Sequence, residues 1–316
     1  MSKYHLSLRI GTRASRLAEW QAEWVANRLR DHYPELGIEL VRLKTQGDRD
    51  QASPLSTIGG TGLFTKEIQR ALLDETVDLA VHSLKDLPTI CPPALVLGAV
   101  PRRAAVSDAL IAPVYQTLER MPAGACLGTG SSRRQAQVLW RHPNLSVVPI
   151  RGNIETRLNL ALEGKLDGVI LAAAALERLN LQHHVTQQLA PPDFLPAVGQ
   201  GALGIECRAD DGETQNLVQV LDCQETHTAA LAERAVLAEL EGGCSIPLGA
   251  WARQIVGQDG TRSLVLDAAV FDPRGQRQVR TSQTGSVDDP VTLGREVARV
   301  LRAHGADSLL RASRSS

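Results

Sequence analysis

The sequence predicts an α/β protein made of two domains of similar design followed by a small α+β domain, on three observations. The stretch Ile10-Gly11-Thr12-Arg13-Ala14-Ser15-Arg16 recurs as Leu127-Gly128-Thr129-Gly130-Ser131-Ser132-Arg133, and each copy runs into a helical pattern with Gln-Ala at a similar place. Val77 to Val81 is echoed by Leu166 to Ile170. At 316 residues the chain also exceeds the size at which one hydrophobic core usually stops growing, so two or three domains are expected.

In order, Leu6 to Ile10 alternates like a short strand, and Gly11 to Ser15 reads as the turn that starts a helix from about Arg16 to His32. Leu17, Trp20, Trp24, Val25 and Leu29 mark its apolar stripe. Ile38 to Leu43 reads as a second strand. Thr45 to Gly60 is long, polar and ends in glycines, as expected of a lid. Helical spacing returns from Phe64 to Asp74, and Leu79 to Val81 is a short strand that ends in His82-Ser83-Leu84-Lys85-Asp86-Leu87-Pro88. Ligands of parallel α/β sheets bind beyond the carboxyl ends of strands, which sets Lys85 and Asp86 apart from an ordinary solvated charge pair.

In the second half of the repeat, Arg133 and Arg134 fall in the first helical turn after Ser132. Arg151-Gly152-Asn153 ends the next strand, with Asn153 as N-cap and Arg157 in the turn that follows, and Arg178 lies beyond the strand Val169 to Leu171. Leu195 to Glu206, glycine-rich and apolar, reads as a crossover strand back to the first domain. Thr226 to Leu240 is a helix that delivers Cys244, which sits after Gly242 and Gly243 and before Pro247 on a turn that leaves a thiol accessible; elsewhere such a cysteine is more often an inert buried residue. Strands at Leu264 to Val270 and Gln278 to Thr284, a turn at Asp272 to Gly275 and a helix from about Pro290 to His304 complete the small α+β domain.

Composition narrows the function. A formal net charge of −1 excludes an overall basic nucleic-acid binder. Five scattered cysteines, odd in number and without Cys-x-x-Cys spacing, point to neither a disulfide framework nor a zinc site, and fit a reducing cytoplasm. No signal peptide and no apolar run of about eighteen residues is found, so no membrane span is expected.

The N-terminus of a serine-capped helix suits a carboxylate or phosphate. A cation there opposes the helix dipole by roughly a few tenths of a kcal/mol, so Arg133, Arg134 and Arg157 are expected to meet an anionic ligand. With Arg13, Lys85, Arg151 and Arg178 at strand ends, they predict a shared cationic cleft for a substrate with several negative charges. Arginine suits planar, bidentate carboxylate recognition.

Arg9 to Ser15, Gly62 to Glu67, Ala80 to Pro88, Gly128 to Gln135, Arg151 to Arg157, Leu195 to Glu206 and Glu233 through Gly249 together resemble the porphobilinogen deaminase (hydroxymethylbilane synthase) family along nearly the whole chain. The resemblance implies two doubly wound, periplasmic-binding-protein-like domains plus a small C-terminal α+β domain. It divides the chain into domain 1 (1–101 and 197–220), domain 2 (102–196) and domain 3 (221–316), with the active site between the first two. It further implies a dipyrromethane cofactor on Cys244 through a thioether, onto which four porphobilinogens are joined head to tail with loss of ammonia before water releases the linear product for tetrapyrrole (haem) biosynthesis.

Carried over residue by residue, the family's pattern makes Asp86, Lys85, Arg13, Arg151 and Arg157 catalytic. Ser15, Arg13, Arg151 and Arg178 would bind substrate. Besides Cys244, cofactor binding would fall to Lys85, Asp86, Thr129, Ser131, Arg133, Arg134 and Arg157. Asp86 would stabilise the positive charge left as ammonia departs, with proton transfer secondary. No metal is implied. The partners are porphobilinogen and the growing polypyrrole, with no nucleic acid or membrane, and the protein would be a cytoplasmic monomer. Three positions depart from the family pattern: Thr61 in the lid region, Ala175 and Glu177. They bear on lid dynamics and rate. The alternative from another class is a non-catalytic anion-binding protein of the two-domain periplasmic type, which would need neither Cys244 nor a third domain.

Overall fold

The computed structural model describes residues 7–43, 65–240 and 246–314. The chain forms two compact units, one of Met1–Arg103 with Ala202–His227 and one of Ala104–Gly201 with Thr228–Ser316. The first unit opens with β1 (Ser7–Arg13), α1 (Arg16–His32), β2 (Gly37–Leu43), α2 (Lys66–Leu73), β3 (Leu79–Ser83) and β4 (Leu95–Ala99). The second supplies β5 (Asp108–Ile111), β6 (Cys126–Gly128), α3 (Ser132–Arg141), β7 (Ser146–Val148), α4 (Ile154–Leu162), β8 (Gly168–Ala172), α5 (Ala173–Arg178) and β9 (Gln187–Leu189). Then come β10 (Leu203–Arg208) and α6 (Gly212–Gln219) of the first unit, the helix α7 (Gln224–Glu239), and β11 (Leu248–Val256), β12 (Arg262–Phe271), β13 (Gln278–Ser286), α8 (Pro290–Ala303) and α9 (Ala306–Arg314).

The sequence repeat is a structural repeat. The first sheet has the order β2-β1-β3-β10-β4 and the second β7-β6-β8-β5-β9. In each, three parallel strands are followed by one antiparallel strand and an edge. Register repeats too: Ile10 pairs Leu79 and Gly11 pairs Ala80, as Leu127 pairs Gly168 and Gly128 pairs Val169. An aspartate ahead of the third strand of each set clamps the first strand. Asp78 Oδ2 accepts from the Arg9 backbone N–H at 2.7 Å, and Asp167 Oδ2 accepts from the Cys126 N–H at 2.7 Å.

Both doubly wound α/β sheets and the small C-terminal sheet are present as expected, and α1 has the bounds predicted for it. Gly11 to Arg13 is not a turn, however. It belongs to β1, which pairs with β2 through Arg13 and Leu43, and a Cβ at Gly11 would stand 3.1 Å from Val77 Cγ2. The crossover strand is confined to β10; the residues ahead of it turn, with positive φ at Gly199 and Gly201. The expected lid, 45–60, lies outside the described residues.

The third sheet, β11-β12-β13, is antiparallel and closes a core with α7, α8 and α9. Asp289 caps α8 by accepting from the Thr292 N–H, and Pro290 follows at the first turn, where its missing N–H costs nothing. Leu293, Val297, Ala298 and Leu301, spaced three and four apart, are its buried face. Strand β11 was not anticipated, because Leu248 and Gly249 read as the end of a turn. Gly249 is required there: a Cβ would come within 2.6 Å of Leu195 Cβ.

Candidate functional site

In the first unit the end of β1, the start of α1 and the loop after β3 meet. Ser15 caps α1 by accepting from the Ala18 N–H at 3.3 Å, and Thr12 donates its hydroxyl to the Ala18 carbonyl at 3.0 Å, locking the strand-to-helix junction. Beyond β3 the chain forms a single 3-10 turn, Leu84–Asp86, tethered by the Leu84 N–H to the Ala202 carbonyl at 3.0 Å. The result is an open pocket lined by Arg13, Ser15, Gln21, Thr65, His82, Ser83 and Asp86 among others. Thus Arg13, Ser15 and Asp86 come together, and Lys85 sits beside them, partly buried, in the same turn.

Four further polar groups, at this wall or behind it, were not picked out from the sequence. Gln21 is 2% exposed and donates to Ser83 Oγ at 2.8 Å, which ties α1 to the Asp86 loop. A polar residue one helical turn from Leu17, on the apolar stripe, was the signal available. Behind the loop, His82 Nε2 stands 3.3 Å from Glu206 Oε2, out of hydrogen-bond alignment, while Gln69 Nε2 donates to Glu206 Oε1 at 2.8 Å.

The second unit assembles the arginines by the same logic. Ser131 caps α3, accepting from the Arg134 N–H, and Thr129 Oγ1 accepts from the Ser131 N–H at 3.3 Å. Both hydroxyls keep a proton to donate to a ligand. Asn153 caps α4 as expected, accepting from the Thr156 N–H at 2.8 Å, and Gly152 reaches that cap with a φ of 102°. Arg151 and Arg157 flank the cap, half-buried. At the end of α5, Arg178 donates to the Gly201 carbonyl at 2.7 Å, and burial lowers its pKa to about 10 against the opposing pull of Glu177. Ala175 is an ordinary buried residue of this helix. Thr61 lies outside the described residues.

Arg133 and Arg134 do not need a ligand to offset the helix dipole, contrary to expectation, because the chain provides its own anion. Asp108, fully buried at the start of β5, takes Arg133 Nη1 at 2.7 Å on Oδ2, and Arg134 Nε at 2.9 Å and Nη2 at 2.7 Å on Oδ1. Arg133 also donates to the Leu195 carbonyl at 2.6 Å and lies over the Phe194 ring, and Arg134 donates to the Ile170 carbonyl at 3.0 Å. Burial by itself would raise the Asp108 pKa; the two guanidinia outweigh it and hold the carboxyl well below its usual range. Two positive charges against one negative leave the cluster with a surplus positive charge.

Cys244 lies outside the described residues. Cys207, in β10, is buried, and burial pushes its thiol up to about 12. No helix among the described residues is long and apolar enough to cross a membrane.

These features define a duplicated α/β protein with cationic and hydroxyl-bearing groups gathered at strand ends and helix N-termini. The chain belongs to the porphobilinogen deaminase family. Residues 8–216 match the family's domain described as "Porphobilinogen deaminase, dipyromethane cofactor binding domain", and residues 227–303 match "Porphobilinogen deaminase, C-terminal domain". It is 44% identical over 306 residues to the porphobilinogen deaminase of Syntrophotalea carbinolica, covering 97% of this chain and 96% of that one. It is 46% identical to those of Desulforudis audaxviator (95% and 96% covered) and Chromobacterium violaceum (96% and 96%). Among solved structures, the methionine binding protein MetQ is similar with a TM-score of 0.45 at 11% identity, over 72% of this chain and 93% of that one. The chain is therefore an enzyme of a transferase family with a dipyrromethane-binding domain, and the non-catalytic alternative is not favoured.

Proposed function

We propose that this protein is a hydroxymethylbilane synthase. It joins four porphobilinogen molecules head to tail, each with loss of one ammonia, and releases the linear tetrapyrrole with water. Dipyrromethane, held as a thioether on Cys244, supplies the primer end on which each chain starts. The observation that carries the reading is the pocket of the first unit, where Arg13, Ser15 and Asp86 share one wall.

Each group has a task suited to its chemistry. Porphobilinogen brings an acetate and a propionate, for which the Arg13 guanidinium and the Ser15 hydroxyl are donors. Asp86 accepts hydrogen bonds from pyrrole N–H groups and stabilises the positive charge that grows as ammonia leaves, with Lys85 beside it; a proton-shuttling role is secondary. In the second unit Arg151, Arg157 and Arg178 bind further carboxylates. The surplus charge around Asp108 supports the fit of an acidic oligopyrrole to Arg133 and Arg134, with Thr129 and Ser131 donating their hydroxyl protons.

The division into three domains at 1–101 with 197–220, 102–196 and 221–316 is part of the proposal, with the last domain carrying the cofactor cysteine. So are a monomeric state, a cytoplasmic location, and the absence of nucleic-acid and membrane partners.

The deciding experiment is the intact mass of the purified protein and of Cys244→Ser. A covalent increment of two condensed pyrroles, lost in the variant, is expected. Active wild-type protein without the increment would exclude the proposal. Isotope-labelled porphobilinogen supplied during steady turnover is expected in the product and not in the tether.

A further inference from the structure

A chain of buried polar groups runs through the second unit from α7 to α3. Glu233, on α7, is fully buried, and its carboxylate accepts the backbone N–H groups of Gly199, at 2.7 Å on Oε2, and of Ala252, at 2.9 Å on Oε1. Next to Gly199 stands Gln200, also fully buried. Its Nε2 donates to the Val106 carbonyl at 2.8 Å and to Asp108 Oδ1 at 2.9 Å. Asp108 in turn holds Arg133 and Arg134.

The turn in the middle has little freedom. Gly201 has a φ of 86°, and a Cβ there would stand 2.7 Å from the carbonyl oxygens of both Ala104 and Ala105. The Ala104 N–H donates back to the Gly201 carbonyl at 3.1 Å. Gly199 and Gln200 are thus fixed on a rigid turn, with Glu233 on one side and Asp108 on the other.

A buried carboxylate is a poor way to gain stability, because an apolar side chain of the same volume fills such a position without desolvating a charge. Its best-attested use is to set a register between elements. The elements here are α7, whose last residue Glu239 leads into the segment containing Cys244, and α3, which carries the arginine pair.

We propose that Glu233, Gln200 and Asp108 are positioning residues, fixing α7 against Arg133 and Arg134 of α3. The consequence is that those guanidinia are held ready for the carboxylates of a primer bound to this chain. The inference rests on the assignment of dipyrromethane to Cys244.

Glu233→Gln is the informative substitution. An amide of the same shape has one acceptor oxygen, so either Gly199 or Ala252 is left with its N–H facing an NH2 group. The readouts are the fraction of molecules carrying the two-pyrrole mass increment, the Tm, and KM against kcat. Val297→Ala, which truncates a fully buried residue of α8 in the neighbouring core, serves as the control for lost stability alone. Glu233→Gln is expected to lower the loaded fraction by about tenfold or more, the size typical of losing a supporting contact behind a binding group. Val297→Ala, with a comparable loss of Tm, should stay loaded.

A second measurement needs no Glu233 variant. Coupling between tether and turn is reciprocal, so the Gly199 and Ala252 amides should exchange hydrogen about tenfold faster in Cys244→Ser than in loaded wild-type protein. Wild-type protein without the increment would overturn the cofactor assignment and this inference together. With wild type loaded, three results would each overturn the positioning role alone: full loading of Glu233→Gln with unchanged KM, an equal loss in Val297→Ala, or equal exchange in the loaded and unloaded proteins.

Discussion

Asp108 and Arg134 are joined through one oxygen: Arg134 Nε and Nη2 lie 2.9 and 2.7 Å from Asp108 Oδ1, which leaves Oδ2 to Arg133. Asp108→Asn removes the only negative charge these two guanidinia share among the described residues. Breaking a buried pair from one side costs about 3–5 kcal/mol, since a charge is left uncompensated. Denaturant unfolding should register a loss of that size. Because the folded pKa of Asp108 is depressed below 3.8, its contribution is present above that unfolded value and is lost as pH falls through the depressed folded value. Asp108→Asn should therefore be less stable than wild type at neutral pH, with the difference shrinking in strong acid.

Asp86→Asn keeps the size and polarity of the side chain and removes its charge. If electrostatic stabilisation is its task, kcat should fall about 100-fold or more while KM changes little, because Arg13 and Ser15, the groups proposed to hold the carboxylates, are untouched. A near-normal kcat would take Asp86 out of the catalytic set.

Gly152→Ala tests the arginine-bearing cap of α4. At a φ of 102° the new methyl would lie 2.9 Å from Thr156 Cγ2. About 1–3 kcal/mol of stability should be lost, and displacement of Arg151 and Arg157 on either side should raise KM. An unchanged melting curve and KM would show that the turn relaxes freely.

Alkylation followed by peptide mapping separates two cysteines. Cys207, buried and with its thiol pushed up to about 12, should resist iodoacetamide at pH 8 in the native protein and react once denaturant exposes it. Cys244, if held in a thioether, should resist under both conditions. Labelling of Cys244 in denaturant would mean an unloaded thiol.

Features written in short stretches of sequence were legible before the fold was known. Ser15 and Asn153 cap helices by bonds to residues three positions on, and the bounds of α1 follow from that local chemistry and an apolar stripe; the cap of α3 is Ser131, one residue ahead of the Ser132 from which its first turn was read. The duplication was visible as well, down to the equivalence of Asp78 and Asp167 in their two sheets. Asp86 could be selected because it follows a recognisable strand, and Arg13 and Ser15 because they match the family's pattern ahead of a recognisable helix start. Gln21 was passed over, although its polarity on an apolar stripe marked it.

By itself, the sequence determined the α/β class, the repeat, the family and the residues able to carry charge to an acidic substrate. Only the tertiary structure decided what those charges face. Arg133 meets a carboxylate 25 positions away, and Gln200 reaches that same carboxylate across 92. No local spacing records such a pairing, because the partners are brought together by sheet order and not by helical or strand period. Glu233 likewise looks like any helix-surface glutamate until the fold buries it between Gly199 and Ala252. Its two oxygens there accept those backbone N–H groups.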